Sequence, residues 1–385
     1  MSPRVASIRE VLATYNDRAP LAEAATIPAP WYTDNRIAAL EHTTVFSRTW
    51  QVVGRVDQVA KPGDYLTANI AGEPIVVVRG QEGLLRAFFN VCRHHAAAVM
   101  TEPCGHATIL RCPYHGWSYG LDGALKGVPE FAGVCNFDNS KNGLVPVHVD
   151  TWENFVFVHL DEPVFSLQDF LGTLAARVAP LQVSKLGFFE RKMYTLNCNW
   201  KVYVDNYLDG GYHVPHLHKA LSSVLDYSQY TIENDVRYCL QSSPMVAGKE
   251  DAATSATRTG DRAYYYWLYP NFMINCYEGY MDTNLVLPLD VDHCLVIFDF
   301  YFADVTTEAG KQYNAQSIAV GDRVQDEDVG ICEAVQRGLK SRAYGAGRLS
   351  VRREGGEHLF HRLLAADLKG GLDASDRNQG SRAAD

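Results

Sequence analysis

Between Trp50 and about Leu160, short apolar runs rich in Val, Ile and Phe alternate with breaks containing Gly, Pro or Asp. Runs of this length and composition predict strands at residues 51–56, 74–78, 84–90 and 154–160. Past residue 160 the period changes. Residues 169–181 read as a helix ending near Pro180, 193–198 as a strand and 200–212 as a helix. A second set of strands is expected at 264–269, 284–289 and 294–302, followed by a helix over 319–339. In that helix Val324, Ile331, Val335 and Leu339 recur on one face. From Lys369 onward Gly, Ser, Asp and Arg crowd together with no apolar period, which predicts a mobile tail over 369–385. The expected fold class is α+β. An all-β domain over 45–160 stands beside a larger α+β domain, built from 1–44 and 161–368, in which an antiparallel sheet grips a helix.

Composition narrows the function classes. The chain has 385 residues, 47% of them hydrophobic, enough for two packed cores. A net charge of −10 with no Lys or Arg run argues against a nucleic-acid partner. No stretch reaches the roughly 20 apolar residues of a membrane span, and the first ten residues have no apolar core of a signal peptide. Nine cysteines, an odd number scattered along the chain, fit a reducing compartment, and a cytoplasmic location is expected. In such a compartment clustered Cys and His point to metal rather than to disulfides. Seven of the nine, Cys104, Cys135, Cys198, Cys239, Cys276, Cys294 and Cys332, have no ligand spacing and are expected to be small buried hydrophobes.

The other two belong to a pattern. Cys92-Arg93-His94 and Cys112-Pro113-Tyr114-His115 each offer one thiolate and one imidazole on a short loop. A two-iron cluster in which two His replace two Cys on one iron requires that combination, the ligand set of Rieske centres. Gly116 and Pro113 suit a tight loop whose N–H groups can face sulfur. Cys₂His₂ is also a zinc set, but zinc fingers usually open on two Cys two to four apart. A zinc- or cluster-stabilised interaction module is therefore the rival class. His95 adjoins His94, and only the spacing selects His94.

A second constellation packs three His and two Asp between Asp205 and His218. On a helix Asp205, Asp209 and His213 share a face, and His216 would follow them if the helix continued. Gly210, Gly211 and Pro215 break that regularity, so spacing alone leaves the second His open between His216 and His218. An oxygen-activating mononuclear iron needs two His and one carboxylate with open positions. Asp328 falls in the middle of the apolar stripe of the late helix, whereas Asp326 points away, and a carboxylate on a buried face needs a compensating cation. A solvated helix end for the histidines, and an ion pair of Asp328 with Arg323 or Arg337, are the plainer alternatives.

Taken together, Cys92-x-His94 and Cys112-Pro-Tyr-His115-Gly-Trp117 resemble the signature of the Rieske non-haem iron oxygenases, the ring-hydroxylating oxygenase α-subunits. The resemblance spans roughly residues 30–365. Many family members continue the first motif with Arg-Gly, where this chain has His95-Ala96. The resemblance implies a [2Fe–2S] Rieske cluster on Cys92, His94, Cys112 and His115, and mononuclear Fe(II) on His213, His218 and Asp328. It also implies an acidic residue linking that iron to the Rieske His of a neighbouring subunit. The family's usual place for it, three residues before the first His, is Gly210 here. Asp209 is the choice for this role and Asp205 the reserve. The implied partners are O₂, a small organic substrate and a separate NAD(P)H-dependent reductase or ferredoxin, with assembly as trimers or stacked trimers. No Gly-x-Gly-x-x-Gly follows a strand, so no nicotinamide or flavin site is expected in this chain. Within the family, Tyr207-Leu-Asp-Gly-Gly-Tyr-His-Val-Pro215, Tyr269-Pro-Asn-Phe-Met-Ile-Asn275, Met281-Asp-Thr-Asn-Leu-Val-Leu-Pro288 and Cys332-Glu-Ala-Val-Gln-Arg-Gly-Leu339 look like choline monooxygenase-type members. A quaternary ammonium substrate would use an aromatic cage, for which Tyr264 to Tyr269, Tyr277 and Tyr280 are candidates with Glu278 as counter-charge. Ring hydroxylation, ring dioxygenation or N- or O-demethylation is the rival on the same scaffold.

Overall fold

The computed structural model describes residues 6–246 and 251–382. The chain divides into two compact units, Phe46–Phe170 and Met1–Val45 with Leu171–Asp385.

The smaller unit is built from ten strands: β1 (Gln51–Arg55), β2 (Asp64–Ile70), β3 (Glu73–Arg79), β4 (Leu85–Phe89), β5 (Cys104–His106), β6 (Leu110–Arg111), β7 (Ser118–Tyr119), β8 (Leu125–Gly127), β9 (Pro146–Trp152) and β10 (Phe155–His159). They form a seven-stranded antiparallel sheet in the order β1-β10-β9-β4-β3-β2-β5 and a small β6-β7-β8 sheet. Ile75, Val76, Val77 and Val78 are all buried, as are Phe155, Val156, Phe157 and Val158. Continuous apolar runs, rather than alternating ones, are what strands covered on both faces require. The four strands expected here are found within a residue or two of their predicted ends. Between them lie the Cys92 and Cys112 loops, and both thiols belong to a buried cluster with Phe88, Trp117 and Tyr119.

The larger unit wraps helices around a second seven-stranded antiparallel sheet, ordered β11-β17-β16-β15-β14-β13-β12. Its strands are β11 (Gly187–Leu196), β12 (Thr231–Asn234), β13 (Tyr238–Pro244), β14 (Arg262–Leu268), β15 (Phe272–Tyr277), β16 (Tyr280–Pro288) and β17 (Cys294–Phe302). Several helices depart from the sequence reading. Residues 169–181 make two short helices, Leu167–Leu171 and Leu174–Val178, with a 3₁₀ turn at Ala179–Leu181. The late helix begins at Glu308 rather than near 319, started by a Thr307 cap that accepts from Gly310 N. The stretch from Lys369 continues the Gly355–Arg382 helix. Lys369 Nζ is held there by Tyr15 O at 3.1 Å and Asp17 Oδ1 at 2.7 Å. Of the seven cysteines expected to be buried, Cys104 and Cys135 are exposed.

Candidate metal centres

Two turns of the same design present the cluster candidates. Ala96 N donates to Cys92 O at 3.0 Å, and Gly116 N donates to Cys112 O at 3.1 Å. The fourth residue after each cysteine has positive φ, +60° at Ala96 and +72° at Gly116, so each loop turns back just past its histidine. The His94 and His115 ring centroids are 4.7 Å apart, and His94 stacks on Trp117 at 4.7 Å and 5°. Burial first, and then adjoining Cys92, pushes the Cys112 thiol above its ordinary value. The Tyr119 hydroxyl lies 3.3 Å from Cys92 Sγ and accepts from Arg93 N at 2.9 Å. Nδ1 of His94 is buried with no hydrogen-bond partner among the described residues. Two thiols, two imidazoles and an orphaned ring nitrogen fit a Rieske cluster. His95 is exposed.

The second centre grows from the helix Trp200–Leu208, capped at Asn199 by a hydrogen bond from Lys201 N. Gly210 and Gly211 both have positive φ and end it at Leu208, four residues short of the predicted limit. A Cβ at Gly210 would come within 2.0 Å of Arg353 O, so the turn has room for glycine alone. This turn swings His213 and His218 to face Asp328 of the Glu308–Leu339 helix. Ligand-type atoms of the three lie within 4.8 Å of one another. His218 Nε2 is 3.0 Å and His213 Nε2 3.9 Å from Asp328 Oδ1. Each imidazole is anchored through its other nitrogen, His213 Nδ1 to Asp209 Oδ2 at 2.6 Å and His218 Nδ1 to Glu327 Oε2 at 2.5 Å. Anchoring at Nδ1 leaves both Nε2 lone pairs to converge, the arrangement a two-His, one-carboxylate iron requires. Burial disfavours a charged His218, but Asp328 and Glu327 outweigh it and raise its pKa. The pocket is electrostatically prepared for a cation. Asn206 Nδ2 donates to Asp328 Oδ1 at 2.8 Å and steadies the carboxylate.

The remaining candidates separate. Asp205 does not face this triad: it accepts from Tyr32 Oη at 2.5 Å and lies 3.0 Å from His361 Nε2. His216 is exposed, and so is Asp326. Asp328 has no arginine partner among the described residues; Arg323 pairs with Asp251 at 2.9 Å. The stripe used to select Asp328 is only partly the buried one. Ile331 and Val335 are 40% and 44% exposed, whereas Gln325, Cys332 and Gln336 are buried. Asp328 lines the cavity on a mixed face of the helix, together with Val320, Val324 and Gln325. Glu327 was not identifiable from the sequence: it sits one residue from the ligand on an adjacent helical face and is half-exposed, with no period to mark it.

A cavity of about 130 Å³ adjoins the triad, within the larger unit. Its size suits one small organic molecule, below the range of roughly 300–1,000 Å³ for drug-sized ligands. Of the expected aromatic residues, Tyr265 and Tyr277 line it, joined there by Tyr207 and Tyr230. Glu278 is exposed on the turn between β15 and β16, so it is not the cavity's counter-charge. The buried acid of the wall is Asp282, which accepts from Tyr280 Oη at 2.6 Å, Asn275 Nδ2 at 2.7 Å and Asn284 Nδ2 at 3.2 Å. Burial raises its pKa, and those donors together with the charge of Arg258 pull it back.

Residues 49–138 match the Rieske [2Fe-2S] domain, and residues 183–370 match the ring hydroxylating alpha subunit (catalytic domain). The chain is 40% identical to choline monooxygenase of Arabidopsis thaliana, described as chloroplastic, over 95% of this chain and 88% of that one. It is 34% identical to the carnitine monooxygenase oxygenase subunit of Escherichia coli (strain K12), over 90% and 95% respectively. A solved quaternary ammonium Rieske monooxygenase, described in connection with carnitine oxidation and inter-subunit electron transfer, superposes with a TM-score of 0.81 at 30% identity. That superposition covers 89% of this chain and 95% of the other. Naphthalene 1,2-dioxygenase shares the fold at 20% identity, with a TM-score of 0.75. No helix among the described residues is long and apolar enough to cross a membrane. The two domain matches, in the order of the two metal-ligand patterns, and the near full-length relatives place this chain in the Rieske non-haem iron oxygenase family, as an oxygenase with a [2Fe–2S] cluster and a mononuclear iron.

Proposed function

We propose that this chain hydroxylates a small quaternary ammonium compound, with electrons supplied by a separate reductase or ferredoxin. Cys92, His94, Cys112 and His115 hold the cluster, and His213, His218 and Asp328 hold the iron. When bound, the cluster relays electrons and the iron supplies oxygen activation. The protein's own work is positional. Asp209 and Glu327 orient the two imidazoles, Asn206 fixes Asp328, and the cavity presents the substrate to the triad. The observation that carries the substrate class is the cavity wall. Beside aliphatic residues such as Leu221, Leu225 and Val324, Tyr207, Tyr230 and Tyr265 with the buried carboxylate of Asp282 form a polar aromatic patch suited to a cation. Relatives named for choline and carnitine oxidation support the same class. Nine cysteines with no disulfide among them agree with a reducing, cytoplasmic-type compartment, and a trimer fits a relay from one subunit's cluster to the next subunit's iron.

The test is a substrate panel with a surrogate reductase, comparing O₂ uptake with product. Trimethylammonium compounds should give coupled hydroxylation. Coupled turnover on aromatic hydrocarbons alone would overturn the substrate class and leave the metal centres untouched.

A further inference from the structure

Arg258 follows the short helix Ala252–Thr257, is 6% exposed, and lines the same cavity as the iron triad. Its Nη1 donates to Ser317 Oγ at 2.7 Å and to Thr257 O at 3.4 Å, and its Nη2 to Ser317 O at 3.2 Å. The guanidinium carbon lies 4.6 Å from the Tyr280 ring centre and 5.2 Å from that of Tyr277. Every one of these partners is neutral. No carboxylate is within ion-pair distance of Arg258 among the described residues, and the oxygens of Asp282 are taken by Tyr280, Asn275 and Asn284. Asp282, on the same wall, acts on Arg258 electrostatically and helps to keep it charged, but it makes no ion pair with it. A buried cation with no directly paired anion is costly, and an arriving anion would complete it.

A second donor points the same way. Gln325 is 2% exposed and lines the cavity; its Oε1 accepts from Tyr203 Oη at 2.7 Å, while its Nε2 has no partner among the described residues. Ser317, Gly321 and Gln325 are spaced by four on one face of the Glu308–Leu339 helix. A Cβ at Gly321 would lie 3.7 Å from Arg258 Nη2, which puts the guanidinium against this stretch. Asp328 is seven residues beyond Gly321, roughly 10 Å along the helix axis. The cation and the iron ligand are therefore set apart along the cavity wall. Because Arg258 lies over Tyr277 and Tyr280, Tyr207, Tyr230 and Tyr265 remain to face an ammonium between them.

We propose that the substrate is a zwitterion, an extended quaternary ammonium carboxylate whose carboxylate pairs with Arg258 while its N-alkyl end faces the iron. This rests on the quaternary ammonium reading and selects, within it, against choline, whose neutral hydroxyl end cannot compensate Arg258. The planar guanidinium fork matches a carboxylate.

The experiment measures binding to the isolated oxygenase by calorimetry, with 4-(trimethylammonio)butanoate, its methyl ester and choline as probes, followed by coupled turnover of each. The acid should bind about tenfold or more tighter than the ester, the scale of one charge-assisted hydrogen bond. Arg258→Gln should erase that preference by weakening the acid and leaving the ester nearly unchanged, and Arg258→Lys should keep part of it. A purely structural role for Arg258 would weaken acid and ester alike. If Arg258→Gln fails to fold, the wild-type comparison decides. Wild-type protein that binds and hydroxylates choline or the ester as well as the acid overturns the zwitterion proposal while the quaternary ammonium reading stands. Binding of none of the three overturns both.

Discussion

Ala96 holds a φ of +60° at the position equivalent to Gly116 in the other cluster loop. A left-handed alanine costs about 1–2 kcal/mol, and replacing it by glycine returns part of that as chain entropy in the unfolded state. Ala96→Gly should therefore stabilise the cluster-bearing unit by about 0.5–1 kcal/mol, read as a higher thermal midpoint with the cluster's absorption spectrum unchanged. A lower midpoint would show that the Ala96 methyl packs usefully. At the proposed iron site, Asp328 and Glu327 are neighbours in sequence with different places: Asp328 converges with the histidines, and Glu327 only holds His218. Asp328→Ala should lose mononuclear iron while keeping the Rieske spectrum. Glu327→Ala should keep the site but weaken iron binding about 10- to 100-fold, the usual effect of losing an outer partner of a metal-bound imidazole. Iron titration of the two variants checks this, and equal loss in both would give Glu327 a ligand's role. Asp326→Ala, on the exposed face, should do neither.

The helix that delivers His213 is anchored by an interaction that no local pattern in the chain announces. Lys201 and Glu41 are 0% and 1% exposed and paired at 2.6 Å, and Trp200 Nε1 donates to the same carboxylate at 2.8 Å. Burial alone depresses the Lys201 pKa, and Glu41 opposes the shift. Removing one partner strands the other in the core, so Glu41→Ala should destabilise the larger unit by about 3–5 kcal/mol, whereas replacing both residues by apolar ones should cost less. A denaturation double-mutant cycle measures it. Lys201 and Glu41 are 160 residues apart, a pairing created only by the tertiary fold. The same distinction explains what was legible in the chain. Strands such as β3 and β10 declare themselves because unbroken β-branched and aromatic runs have few other stable arrangements. The proposed cluster ligands are legible because each loop is local, a thiol and an imidazole within four residues. The iron triad is not local: it needs the Gly210-Gly211 turn and a helix more than a hundred residues on. Spacing left His216 and His218 open, and the family resemblance chose. Glu327 carried no period or motif, and Asp282 lay within the Met281–Pro288 stretch with no role marked for it, since each acts only through neighbours brought by the sheet and the long helix.

At the scale of the molecule, the two proposed metal centres belong to different compact units, and the proposed relay runs from one subunit's cluster to another subunit's iron. Asp209 is placed for its near end. Its Oδ2 accepts from His213 N at 3.0 Å and meets His213 Nδ1 at 2.6 Å, while Oδ1 accepts from Tyr212 N at 3.0 Å. Asp205, one helical turn earlier, has both oxygens engaged by Tyr32 and His361, away from the iron triad. A carboxylate that orients one imidazole and reaches a second, on a neighbouring subunit's cluster, shortens the electron path without ligating either metal. Asp209→Asn should accordingly retain both metals and leave the cluster reducible by an external donor, yet lose about 10- to 100-fold or more in turnover. Asp205→Asn should be much milder, with any loss appearing in stability. Single-turnover kinetics on pre-reduced enzyme distinguish the two. Slow oxidation of the cluster in Asp209→Asn, with iron content intact, places Asp209 in the relay. Normal oxidation there removes it, and slow oxidation in Asp205→Asn instead would move the role to Asp205.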